Sequence, residues 1–394
     1  MSAPIPRRAI LGGIGAVSAA RILGANDRVR LGVIGTGARG RYLMSRANDA
    51  GGHEWVAVAD AYDVQRKKAI ALAGGPVDEY ADYRRVLDRK DIDAVIIATW
   101  DNTHCQYAVE ACEAGQDVYV EKPMTLRPLE GHKIVKAVRE HKRILQTGTQ
   151  QRSYPHFIEA KERFVDSGRI GQITTVRAIW NNNTAYRNHP PPAGMKNKPA
   201  GLDWEACQQN TKKVPWDPKR YFNHYVYWDY STNAQMGGLF VHMVDVVHWY
   251  CNVTTPVQAA CFGGIYLTGE GRDTADTISA MVEYPNKLLV TFEANVTDMI
   301  PREHVDLVFI GAGGRLSIWR TGYRFLPAEG KGSEEVTASG TPDLHVHNWL
   351  DCIRSRRKAA CDEETGHYSA MACHICNISY KEHRAVQWNK EWDV

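Results

Sequence analysis

The sequence predicts an α/β protein: a doubly wound parallel sheet (a Rossmann domain), then a second α/β domain on an open, mainly antiparallel sheet. Three observations predict it. Short apolar runs alternate with helix-like segments up to about residue 150. A glycine-rich turn joins the first run to the first helix. Beyond residue 256 several strand-like stretches follow one another without helices between them. The division read from this is 1–26 as a leader, 27–150 as the first domain and 151–394 as the second.

The elements justify this in order. Leu31, Val33 and Ile34 form an apolar strand, and Gly35-Thr36-Gly37-Ala38-Arg39-Gly40 follows at once. A helix runs to Asn48, and a second strand, Trp55 to Ala59, ends in Asp60. In such a unit Gly35 permits the tight turn, Gly37 admits a pyrophosphate to the backbone, and Gly40 lets helix and strand approach. The helix N-terminus offers free N–H groups to phosphates. Asp60 stands where an acid binds the adenosine ribose. This is a dinucleotide site, with NAD as the ligand and NADP left open by the nearby Arg66. Val64–Ala73 and Arg84–Leu87 read as helices, and Ala94–Ala98 as a buried parallel strand. Thr99 to His104 is read as the loop at its ligand-binding end. Gln106–Ala114 and Leu129–Lys142 are helices, and 117–120 and 144–148 are strands.

In the second half, Phe157–Ser167 and Ile173–Trp180 read as helix and strand. A long polar and aromatic stretch, 181–235, carries Tyr186, Trp204, Trp216, Tyr221, Phe222, Tyr225, Tyr227, Trp228 and Tyr230, whose faces suit sugar rings. The helix Gly238–Cys251 precedes strands at 257–266, 276–282, 287–294, 305–310 and 315–319. Gly311 to Gly314 signals a hairpin. Terminal helices at 348–354 and 367–383 are expected to cover the second sheet.

A net charge of +3 over 394 residues gives no case for nucleic acid or an anionic membrane as partner. Nine cysteines cannot all pair within one chain, and Cys373-His374-Ile375-Cys376 lies in a helical context that favours packing over redox or metal chemistry. Arg7-Arg8 before the glycine-rich apolar run 9–17 looks like a twin-arginine export signal, which places the protein in the periplasm or outside the cell.

Glu121-Lys122-Pro123 follows a parallel strand on the edge that carries the glycine loop. Pro123 keeps Lys122 extended, and the lysine can reach a nicotinamide or a substrate hydroxyl. His242, Asp245 and His248 lie on one helix, with His242 and Asp245 on a shared face. His242 could exchange a proton with a hydroxyl while Asp245 orients it or binds the sugar. The spacing does not converge as a metal site.

VIGTGARG at 33–40, ATWDNTHCQYAVEACEAGQDVYVEKPM at 98–124, Gln151-Arg152 and HMVDVVHW at 242–249 resemble the Gfo/Idh/MocA family, named for glucose–fructose oxidoreductase, inositol dehydrogenase and MocA. The resemblance implies a dinucleotide between the two domains, with Lys122 and His242 catalytic and Asp245 a substrate ligand. Asn102, His104 and Glu121 become cofactor-pocket residues beside Gly35, Thr36, Gly37, Arg39, Gly40, Asp60, Thr99, Trp100, Lys122 and Gln151. Arg152 and Trp228 join Lys122, His242 and Asp245 toward the substrate. Two positions depart from the family pattern: Gly238 stands where an Asp is usual, and Trp100 where a Pro is usual. Tyr225 or Tyr227 could then serve as acid or base.

The implied activity is hydride transfer at a hydroxyl carbon of a sugar, cyclitol or glycoside. An exported enzyme has no soluble nicotinamide pool, so the cofactor would be retained and recycled in place. Two other readings stand beside it: an NAD-dependent glycosidase working by transient oxidation and elimination, and a non-catalytic sugar-binding protein. A homo-oligomer is expected.

Overall fold

The computed structural model describes residues 28–181, 191–269, 271–296, 306–329, 332–338 and 344–394. The twin-arginine stretch and Tyr186 lie outside them.

The first sheet has six parallel strands: β1 (Val29–Ile34), β2 (His53–Ala59), β3 (Asp78–Tyr80), β4 (Ala94–Ile97), β5 (Asp117–Val120) and β6 (Leu145–Thr147). Their spatial order is β3-β2-β1-β4-β5-β6, the doubly wound dinucleotide-binding order. Helices α1 (Ala38–Ala50), α2 (Asp63–Ala73), α3 (Arg84–Leu87), α4 (Asp101–Glu113) and α5 (Glu130–Glu140) join them. Side chains alternate across the sheet. Leu31 and Val33 face one core with Leu43, Ile96 and Tyr119, while Ile34 faces the other with Val95, Val118 and Ile134. The edge strand β3 is short and polar, which hid it from sequence reading. The stretch Asp101–His104, expected in a loop, is the first turn of α4.

Among the described residues the second sheet has nine strands. β7 (Ile173–Asn181), β8 (Gln258–Gly264), β9 (Thr277–Tyr284), β10 (Leu288–Asn295), β11 (Leu307–Gly311), β12 (Gly314–Trp319), β13 (Gly322–Pro327), β14 (Glu334–Thr337) and β15 (Val386–Gln387) lie in the order β14-β13-β12-β11-β7-β10-β9-β8-β15. All pairs are antiparallel except β7 with β10. The glycine hairpin joins β11 to β12, Gly311 opposite Gly314. One face is covered by α6 (Pro155–Ala160) and its π-helical extension Lys161–Asp166, then by the π turn Asn233–Phe240 that runs into α9 (Val241–Cys251), and by α11 (Glu363–Glu382). The described residues between β7 and that turn include the short helices α7 (Trp204–Cys207) and α8 (Pro218–Phe222).

One terminal helix departs from expectation. α10 (His345–Ser355) packs on the parallel sheet, where Val346, Trp349, Leu350 and Ile353 join the core of β1, β4 and α1. Its amphipathic pattern reveals an apolar face but not which sheet receives it. Trp349 is fully buried, and truncating such a side chain costs about 3–5 kcal/mol. Helix α11 then bridges both domains. His374 Nε2 meets Thr125 Oγ1 at 2.9 Å, and Ser379 Oγ accepts from Cys261 N–H at 2.9 Å. Cys373 and Cys376 are buried on this helix, with burial pushing both thiols up, as packing residues would be.

Candidate active site

The C-terminal edge of the parallel sheet opens into a cleft of about 730 Å³ lined by Gly35, Gly37, Asp60, Thr99, Trp100 and Tyr225, among others. The glycines divide their roles by space. Gly35 has φ +87°, and a Cβ there would sit 2.6 Å from the Ala98 carbonyl oxygen. A Cβ on Gly40 would lie 2.0 Å from the Gly35 oxygen, so that glycine lets α1 meet β1. A Cβ on Gly37 would meet nothing within 4 Å. The backbone there faces open space at a helix N-terminus, a cradle that suits a pyrophosphate. Asp60 ends β2. Its Oδ2 accepts from Thr36 N–H at 2.6 Å and Thr36 Oγ1 at 3.1 Å, and its Oδ1 from Tyr62 N–H at 2.9 Å. Burial pushes its carboxyl up while these N–H groups draw it back. Arg66 is engaged by Glu79 and by the Asp60 carbonyl. The residues therefore fit a dinucleotide.

The cleft has a roof that sequence reading did not foresee. Residues 198–232 cross from the second domain over the sheet edge. Asp63 N–H donates to the Gly201 carbonyl at 3.2 Å and Asp203 N–H to that of Ala61 at 2.8 Å. Asn102 Nδ2 donates to the Gln209 carbonyl at 2.6 Å. Trp100 is the anchor: His224 stacks on it at 4.4 Å and 15°, and Trp204, Tyr221 and Tyr230 pack around it. Asn102 thus holds the roof instead of facing a ligand. Asp203, Gln209 and His224 also line or tie this region. No local motif marks them, because their role comes from a contact about a hundred residues distant.

Lys122 and His242 converge at the other end of the edge. Lys122 Nζ donates to the Gly238 carbonyl at 3.1 Å. Thus residue 238 still meets the lysine, through its backbone. His242 follows at the start of α9. It is 6% exposed, and its Nδ1 has no hydrogen-bond partner among the described residues. Burial, then the charges of Lys122, Arg320 and Arg39, hold its pKa well below the ordinary value, so the ring is neutral near pH 7. Arg39 Nε donates to Glu121 Oε1 at 2.6 Å, which ties the glycine-loop helix to the lysine strand. His104 is buried, one ring nitrogen 2.8 Å from the Pro123 carbonyl and the other 3.2 Å from that of Thr99. It joins the two loops and does not line the cleft.

Four expected substrate or catalytic residues lie elsewhere. Asp245 is fully buried. Arg152 Nε donates to its Oδ2 at 2.7 Å, and Ser369 Oγ to its Oδ1 at 2.9 Å. Asp245 and Arg152 therefore form a buried ion pair, with Arg152 also 5.7 Å from the Trp249 ring. Neither reaches the cleft, because α9 turns Asp245 toward α11. Trp228 packs under Lys381, 3.6 Å from its ring, and donates from Nε1 to the Asp273 carbonyl. Tyr227 is buried beneath Arg220. Gln151 is buried, with Oε1 lacking a partner among the described residues. Tyr225 does line the cleft, 4.0 Å from His224.

Comparison with known proteins places this geometry. Residues 29–149 match the oxidoreductase family with an NAD-binding Rossmann fold. An inositol 2-dehydrogenase of Klebsiella pneumoniae is 32% identical over 171 residues, 43% of this chain and 50% of that protein. The match thus spans about half the length of the relative. A levoglucosan dehydrogenase solved with NADH superposes with TM-score 0.73 at 16% identity, over 91% of this chain and 99% of that one. An aldose-aldose oxidoreductase from Caulobacter crescentus gives 0.72 at 16%, over 92% and 100%. At such identities these likenesses show the fold, and they extend it over the second domain. Over residues 29–149, the first domain of this chain is thus similar to the NAD-binding Rossmann domain of the Gfo/Idh/MocA oxidoreductase family.

Proposed function

We propose that the protein is an NAD-dependent oxidoreductase that moves a hydride to or from a hydroxyl-bearing carbon of a sugar or cyclitol. The observation that carries this is the convergence of Lys122 and a neutral, buried His242 at Gly238, on the sheet edge that holds the glycine loop. Nicotinamide, when bound, supplies the hydride chemistry. His242 is suited to take the hydroxyl proton, since its Nδ1 is unpartnered and its ring neutral. Lys122 orients the hydroxyl or shares that proton. The inositol dehydrogenase relatives and the sugar dehydrogenase neighbours support a polyhydroxylated substrate. Asp60, with Arg66 held by Glu79 and by the Asp60 carbonyl, supports NAD over NADP.

Purified protein mixed with NAD and a panel of inositols and aldoses should form NADH. His242→Ala should lower kcat/KM by roughly 10²–10⁴-fold. Unimpaired turnover in Lys122→Met would refute the assignment of roles.

The roof favours a second, redox-neutral reading, because it encloses the half of the cleft that would hold adenosine. A retained cofactor fits export through the twin-arginine route and permits aldose–aldose exchange or glycoside cleavage. Exchange of a ring hydrogen for solvent deuterium without net NADH marks the cleavage. Phe262 and Met281 share the open face of β8 and β9, and both are exposed, as are Tyr266 and Leu267. This apolar group supports the homo-oligomer.

A further inference from the structure

Two successive glutamines of the roof have different jobs. Gln208 is 1% exposed and stitches the roof to itself. Its Oε1 accepts from Val214 N–H at 2.7 Å, and its Nε2 donates to the Trp204 carbonyl at 3.3 Å. Gln209 turns the other way and lines the cleft. Its backbone is gripped by the first domain. Asn102 Nδ2 donates to the Gln209 carbonyl at 2.6 Å, and Asn210 Nδ2 donates in return to the Asn102 carbonyl at 3.3 Å. Asn210 takes φ +63°, a left-handed conformation that asparagine tolerates. The Gln209 side chain is held as well. Tyr107 Oη donates to its Oε1 at 3.3 Å, while the tyrosine ring stacks on Tyr83 at 3.7 Å. Tyr107 is buried, so this bond sets which way the carboxamide points. The Gln209 Nε2 takes no hydrogen-bond partner among the described residues.

The place of this amide along the cleft follows from its neighbours. The glycine loop suits the pyrophosphate, and Asp60 the adenosine ribose. The roof crosses beside that acid: Asp203 N–H donates to the Ala61 carbonyl at 2.8 Å, and Leu202 bridges Tyr62. Cys207 stands close by, its thiol pushed up by burial and then by the charges of Asp60 and Asp203. Gln209 follows two residues later and, with Tyr83, Thr103 and Tyr107, walls the adjoining part of the cleft. The Thr103 hydroxyl is engaged by Thr99 Oγ1 at 2.6 Å. Beyond the ribose, an adenosine has only its flat base to place. Aromatic walls with a polar edge suit such a group.

We propose that Gln209 reads the adenine of NAD from the second domain, as a specificity-determining residue. A carboxamide offers an acceptor and a donor side by side, which matches the N6 amino group and N7 of adenine. With Oε1 held by Tyr107, its second lone pair is left for the amino group, and Nε2 is left for the ring nitrogen. Hypoxanthine has a keto oxygen in place of that amino group. It sets oxygen against oxygen, and Tyr107 opposes the amide flip that would relieve the clash. The inference rests on the cleft as the NAD site of the proposed oxidoreductase, whatever its sugar or cyclitol.

The test is calorimetric titration of the full-length protein with NAD and with its hypoxanthine analogue. The unaltered protein should bind NAD roughly ten- to a hundredfold more tightly than the analogue. Gln209→Met keeps the length of the side chain and removes the amide. It should weaken NAD by a similar factor and bring the ratio of the two dissociation constants to about one. Gln209→Leu gives the same comparison should the methionine variant melt early. A ratio of about one in the unaltered protein overturns the proposal. So does a ratio unmoved in both variants, even where both nucleotides bind more weakly, since that marks a residue that only holds the roof. Binding needs no turnover: absence of NADH with every sugar and cyclitol sinks the proposed function and leaves this result standing.

Discussion

Replacing Gly37 with alanine separates folding from cofactor binding. At this position φ is −58°, which alanine adopts freely, and the added Cβ meets nothing within 4 Å. The ligand-free protein should therefore keep its stability, or gain about 0.4–1 kcal/mol from a less flexible unfolded chain. The methyl group would stand on the open face of the loop, where a pyrophosphate must lie against backbone N–H groups. Loss of one charge-assisted hydrogen bond costs about 1.5–3 kcal/mol, and each 1.4 kcal/mol is about tenfold in Kd. Binding of NAD should thus weaken roughly 10- to 100-fold. The assay is calorimetric titration with NAD beside thermal melts without it. Gly40→Ala is the contrast, since its Cβ would lie 2.0 Å from the Gly35 oxygen and should destabilise the fold itself. An unchanged Kd in Gly37→Ala would refute the loop as a pyrophosphate cradle. Weak binding with a lowered melting temperature would refute the claim of open space.

Other outcomes follow from the same geometry. Arg152→Met strands the fully buried Asp245 carboxylate and should cost about 3–5 kcal/mol in urea unfolding, with Arg152→Met/Asp245→Leu closer to wild type. Trp100→Ala removes the ring that His224, Tyr221 and Trp204 pack against. At about 0.5–1.5 kcal/mol per aromatic pair, NADH release measured by stopped-flow fluorescence should quicken at least severalfold. The Asp276 carboxylate is held down to about 2 against burial by the N–H groups of Tyr266, Leu267 and Thr268 and by the Thr268 hydroxyl. A depressed folded value contributes stability above the ordinary 3.8 that is lost as pH falls toward 2. Asp276→Asn should therefore be less stable at neutral pH and should flatten the urea midpoint across that acid window.

The parts of the site legible in sequence are those whose chemistry is local. Gly35, Gly37, Gly40 and Asp60 belong to one strand–turn–helix–strand unit, and Lys122 is oriented by the proline after it. The parts that escaped depend on partners far along the chain. Asp245 reads as a free acid beside His242 until Ser369, 124 residues later, and Arg152, 93 earlier, close around it. Trp228 looks like a sugar platform until Lys381 covers it. Asp101 sits in an apparent loop in the sequence, and in the structure it opens α4 and accepts from the Thr232 N–H of the second domain. The edge strands β14 and β15 are short and were not foreseen, as edge elements are hard to distinguish from loops, and β13 beside β14 was missed as well.

The packing of α10 has a consequence for biosynthesis. The parallel sheet is fully translated once β6 leaves the ribosome, yet Val346, Trp349, Leu350 and Ile353 must cover one of its faces. Those residues emerge about 200 positions later, a wait of roughly 10–40 s at ordinary elongation rates. During that interval the nascent sheet exposes an apolar flank to chaperones and to aggregation. The dinucleotide half is thus translated well before the helix that completes its core, and its cofactor meets a finished sheet only after α10 has docked.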